Sequence, residues 1–95
     1  MDEQEEKEFL KMIGLKGTVP VLKFLNEKGE AHHGDFAHLV NVVSLNTRLR
    51  QLLRFGLIEH HLERIETRRE WYSITDKGRK ILNRLNEILE LINSE

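Results

Sequence analysis

Apolar side chains recur along this chain at two different periods, and the change of period marks its architecture. Phe9, Leu10 and Ile13 return at helical spacing behind a run of good helix formers, which predicts a first helix ending at Gly14. The segment Gly14 to Gly17 interrupts the pattern. Thr18 is then the expected cap of a second helix. Pro20 falls in its first turn, where a missing N–H does no harm, and Val21, Leu22 and Leu25 form its apolar stripe with Phe24 at the margin. Gly29 is a natural stop. A short extended piece follows at Ala31 to His33, and Asp35 is the expected cap of a brief third helix that buries Phe36 and Leu39.

The clearest helical period comes next. Val42, Leu45, Leu49 and Leu52 fall on one face, and Phe55-Gly56 closes the helix with glycine in the left-handed stop position. Asn41 or Ser44 can cap it, and an apolar period reaching back to Val42 favours Asn41. At about 100° per residue, Val43, Thr47, Arg50 and Arg54 lie opposite the apolar stripe, with Ser44 and Gln51 to one side and Arg48 towards the flank.

From Leu57 the period shortens to two. Ile58, His60 and Leu62 share one side, and Glu59, His61 and Glu63 the other, which predicts a strand. Glu70 to Ile74, with Trp71 and Tyr72, has strand composition as well, and Glu66-Thr67-Arg68 between them can turn the chain into a hairpin with Arg64, Arg68 and Arg69 near its tip. Thr75 then caps a last helix over residues 76–93. In it Ile81, Leu85, Ile88 and Ile92 repeat at spacings of four, three and four, flanked by Leu82 and Leu89, as in a coiled-coil seam. The expected class is therefore α+β: mainly helical, with a small β-hairpin.

Composition narrows what such a chain can do. Its 95 residues allow one small domain with a modest core, and 39% apolar with 33% charged residues fits a soluble globular protein. No run approaches the roughly 18 apolar residues of a membrane span, and Met1 to Glu8 is acidic where a secretory signal is basic and then apolar, so a cytoplasmic protein without membrane association is expected. The absence of cysteine excludes disulfides, thiolate metal sites and cysteine nucleophiles. The net charge of -1 conceals a segregation: Met1 to Glu8 carries five acids and one lysine, whereas Ser44 to Arg84 carries ten Lys/Arg against five Asp/Glu. A polyanion would bind the second half.

A basic-faced helix, a basic hairpin and a long apolar-seamed helix in this order resemble a winged helix-turn-helix domain with extra N- and C-terminal helices: a first helix to residue 13, a core over 18–75 and a final helix over 76–93. Within it Gly56-Leu57-Ile58, and after the hairpin Tyr72-Ser73-Ile74-Thr75 and Gly78, are similar to the wing-flanking pattern of the HxlR, PadR and MarR groups of prokaryotic transcription regulators, HxlR most closely. The resemblance implies sequence-specific binding of double-stranded DNA by a homodimer. The sensing cysteine of some HxlR proteins has no counterpart here, so a thiol switch is not carried over.

The residue chemistry suits that expectation. Val43, Ser44, Thr47, Arg50, Gln51 and Arg54 offer the donors, acceptors and methyl groups that read base edges in the major groove, and Arg64, Arg68 and Arg69 of the wing would reach phosphate or the minor groove. Phe9, Ile13, Ile81, Leu85, Ile88, Leu89 and Ile92 are the expected dimer interface, because a chain this short has little surface of its own to cover so long an apolar stripe. The histidines His32, His33, His38, His60 and His61 lack metal-ligand spacing, and neither a phosphate loop nor paired carboxylates in a cleft can be traced, so neither a metal, a cofactor nor catalysis is expected. No small-molecule effector can be named. The competing readings are a winged-helix protein-interaction module and an architectural protein that binds DNA without sequence preference.

Overall fold

The computed structural model describes residues 1–94. Helix α1 (Glu3–Ile13) begins at Asp2, whose carboxylate accepts the Glu5 N–H at 2.8 Å, and places acids in the first turn where the helix dipole favours them. Its buried residue is Met12, flanked by half-buried Phe9 and Ile13; Leu10 stands in solvent at the edge of the stripe, 62% exposed.

Helix α2 (Thr18–Lys28) starts one residue earlier than a threonine cap would allow. Gly17 takes the cap position with φ 92°, tucked so closely against Val40 that a side chain there would crowd its methyl groups. Thr18 is thereby drawn into the first turn. Its hydroxyl, fully buried, donates back to the Met12 carbonyl at 2.7 Å, a second bond to an oxygen that also accepts the Leu15 N–H at the end of α1. Val21, Leu22 and Leu25 are buried as the period predicts.

The extended piece is strand β1 (Glu30–Ala31), one residue earlier than expected, and the brief third helix is a 3-10 turn (His33–Phe36). Asp35 is not its cap. It lies inside the turn, where its carboxylate accepts the His32 N–H at 2.8 Å. Phe36 is fully buried and Leu39 half-buried. Helix α3 (Val42–Arg54) is capped by Asn41, whose side chain accepts the Ser44 N–H at 3.0 Å. Leu45, Leu49 and Leu52 enter the core, but Val42 is 59% exposed, because Val40, just before the cap, already fills the space against Gly17.

Gly56, at φ 74°, turns the chain out of α3 into β2 (Ile58–Arg64), which pairs antiparallel with β3 (Arg68–Ile74). The sheet has order β1-β3-β2. The register sets Arg64 opposite Arg68, so β3 begins two residues earlier than its composition suggests and the turn is Ile65-Glu66-Thr67, with Arg68 in the ladder. Pairing with β2 outweighs the weak strand preference of Arg68 and Arg69. Helix α4 (Asp76–Asn93) packs on α2, and Leu82 is its buried leucine, with Ile81 and Leu85 half-buried beside it. Leu82, read as a flank of the seam, is thus its most deeply buried member.

The wing flanks are joined by a compact lock. The Thr75 N–H donates to the Leu57 carbonyl at 3.1 Å, its hydroxyl donates to the Gly56 carbonyl at 2.7 Å, and the same oxygen accepts the Gly78 N–H at 2.9 Å. Gly78 lies so close to Leu57 that a Cβ would collide with the Leu57 carbonyl oxygen and come within 2.8 Å of Ile74 Cγ1. Capping, close approach and the end of α3 therefore depend on one another.

Candidate nucleic-acid interface

With Leu45, Leu49 and Leu52 facing inward, α3 turns Val43, Asn46 and Arg50 to solvent; Val43 is 78% exposed. This outward face is rotated from the one the helical period predicts, because α1 lies along the other side. Thr47, Gln51 and Arg54 line a groove of about 510 Å³ between α1 and α3, together with Glu8 and Lys11. The Gln51 oxygen accepts Arg48 Nη1 at 2.6 Å, and Arg48 Nε donates to the Lys16 carbonyl at 3.1 Å, so these two side chains tie α3 to the neighbouring loop. Ser44 is half-buried, its N–H used by the Asn41 cap.

Arg54 is turned towards α1. Its guanidinium donates to Glu8 at 2.6 Å and lies over the Phe55 ring, 5.1 Å from the centroid. That hydrogen bond, helped by the Gln4 amide, holds the Glu8 carboxyl below the usual glutamate value. Among the described residues Arg50 makes only a long contact, 3.5 Å, to Thr47 Oγ1, and no ion pair. Sequence periodicity does not single out Asn46. The contact that marks it is tertiary: His33 Nε2 from the 3-10 helix donates to Asn46 Oδ1 at 2.7 Å.

The hairpin arginines divide between two faces. Arg64 and Arg68 are cross-strand neighbours and share the face that carries Ile58, Tyr72 and Ile74 nearer the body. Arg68 reaches Glu70 at 2.9 Å, and His60 approaches the same carboxylate at 3.3 Å, which together hold Glu70 below its usual value. Arg64 makes no ion pair or hydrogen bond among the described residues. Arg69 lies on the opposite face, stacked over Trp71 at 4.3 Å and paired with Glu30 of β1 at 2.7 Å, while His61 stacks on the same indole. Arg69 therefore braces the sheet. At the far end of the molecule the last turns of α4 expose Ile88, Leu89, Leu91 and Ile92, whereas Phe9 packs edge-on against Phe55 of its own core.

A three-stranded sheet ending in a hairpin, set behind a helix with one free polar face, is the winged helix-turn-helix arrangement. The chain belongs to the HxlR-like helix-turn-helix family, whose sequence profile matches residues 12–95. No curated protein matches its sequence. Among solved structures it is similar to a protein of Enterococcus faecalis V583 assigned to the MarR family of transcriptional regulators, at TM-score 0.76 and 20% identity over 96% of this chain and 86% of that one. A transcriptional regulator homologue from Pyrococcus horikoshii OT3 superposes with TM-score 0.73 at 20% identity, covering 99% of this chain and all of its own. The reduced form of the transcriptional regulator YodB from B. subtilis gives 0.76 at 17% identity, over 95% and 89% of the two chains. The family is one of DNA-binding transcription regulators and not of enzymes. Among the described residues no helix is long and apolar enough to cross a membrane.

Proposed function

We propose that this protein is a homodimeric, sequence-specific DNA-binding transcription regulator, with residues 18–75 as the DNA-binding core and 76–93 as the dimerisation helix. The observation that carries the reading is the outward face of α3, which leaves Val43 and the uncommitted Arg50 available to base edges. Thr47, Gln51 and Arg54 border the groove beside α1, and Ser44 lies at the N-terminus of the helix; these four contact DNA at the edge of the footprint. On the wing, Arg64 and Arg68 share the face that reaches phosphate or the neighbouring minor groove, while Arg69 keeps the hairpin rigid. The exposed row Ile88, Leu89 and Ile92, continued by half-buried Leu85 and Ile81, supports pairing of two copies through α4, with half-buried Phe9 and Ile13 of α1 as secondary members of the proposed interface. Two-fold symmetry would set the two α3 helices over half-sites about one helical turn apart.

The test is a fluorescence-anisotropy titration onto duplex from upstream of the gene and onto a shuffled duplex, at two salt concentrations. Preference for the native duplex that survives the higher salt is the expected result. Equal binding that collapses with salt would indicate an architectural protein instead, and no binding at low salt a protein-interaction module.

A further inference from the structure

We propose that Asn46 is a base-reading residue of α3 that selects adenine, and that His33 is the positioning residue that holds its amide ready to do so. The inference rests on the reading that α3 enters the major groove. Asn46 is exposed, one turn before Arg50 and one turn after Val43, at the centre of the outward face. Its amide is not a free rotor. His33 Nε2 lies 2.7 Å from Asn46 Oδ1, and with the ring proton on Nε2 that bond holds the oxygen end of the amide towards the 3-10 helix.

That orientation has a chemical consequence. Oδ1 retains a second lone pair and Nδ2 keeps both its hydrogens, which together form an acceptor beside a donor. Adenine offers the complement, its N6 hydrogen and N7, whereas guanine presents two acceptors, O6 and N7. Against guanine the same amide can satisfy only one of the two acceptors, because its oxygen then meets the other. The His33 contact from the 3-10 helix restrains the amide that makes this choice. Gln51, the other amide on α3, has its oxygen occupied by Arg48 in the groove beside α1.

The experiment is selection from a pool of duplexes randomised over a central stretch, sequenced after binding to wild type, Asn46→Ala, Asn46→Asp, His33→Ala and His33→Gln, with melting curves to confirm that each folds. Wild type is expected to enrich adenine at one position per half-site. Asn46→Ala should erase that position alone and weaken binding to the selected duplex about tenfold. Asn46→Asp, an acceptor without a donor, should shift the position to cytosine. His33→Ala should weaken the adenine preference there, and His33→Gln, which retains an N–H donor, should restore it. An adenine position that persists in folded Asn46→Ala overturns the assignment while leaving DNA binding by α3 intact. Unchanged selection by His33→Ala overturns the positioning role, and a wild type that retains no duplex overturns the major-groove reading and this inference together.

Discussion

Gly78 carries a constraint that no neighbouring residue can relieve. A methyl group added there meets the Leu57 carbonyl and Ile74, both held by the wing flank, so α4 must shift away from the sheet. Gly78→Ala is expected to lower unfolding free energy by about 1–3 kcal/mol in a urea titration, despite alanine's better helix propensity. A stabilised variant would contradict the close approach. The Glu8–Arg54 pair makes a different prediction. Its folded-state carboxyl titrates below the ordinary 4.5, so its contribution to stability is complete above that value and fades as pH falls through the lowered one. Both side chains are half-exposed, which keeps the effect small. Thermal midpoints of wild type and Glu8→Gln should differ slightly at neutral pH and converge in acid; a gap independent of pH would exclude this origin. Since Glu8 already occupies Arg54, Arg50→Ala should weaken duplex binding more than Arg54→Ala does, as measured by anisotropy.

Among the elements, α3 and α4 were legible in their sequence, whereas β1 was read only as an extended piece, without its partner. Asn41, the leucine period and Gly56 define α3 from neighbours within a few residues, so its bounds follow from local chemistry. Asn41→Ala should cost about 1 kcal/mol in chemical denaturation. Thr75 and the long apolar period likewise mark α4. Strand β1, only Glu30–Ala31, has no strand composition and exists because the edge of β3 offers Tyr72 and Ser73 as partners. Which residues of α4 are buried also lay outside local reach. Leu82 is buried in the core, and Ile88, Leu89 and Ile92 remain exposed. Replacing Ile88 and Ile92 together by glutamate should leave the fold intact and convert a species of about 22 kDa in light scattering into one of 11.2 kDa. An unchanged mass would remove α4 from the dimer interface.

Over the whole molecule, segregated charge takes on a spatial meaning. The acidic first turns of α1 run to Glu8, which reaches the C-terminal end of α3, so the negative segment borders the basic one. Periodicity, caps and turn glycines determined by themselves the winged-helix order of helices and hairpin, though not that the brief third helix would be a 3-10 turn, and the Gly56-Leu57 and Thr75-Gly78 flanks pointed to its family. Those are properties of short windows, where each residue's geometry depends on near neighbours. Exposure is not. Val42 emerges because Val40 fills the core before it, Arg69 is spent on Trp71 and Glu30, and the most open face of α3 centres on Asn46 while Thr47 and Gln51 border the groove beside α1. Each of those outcomes depends on which distant element lies against a side chain, and only the packed chain brings those elements together.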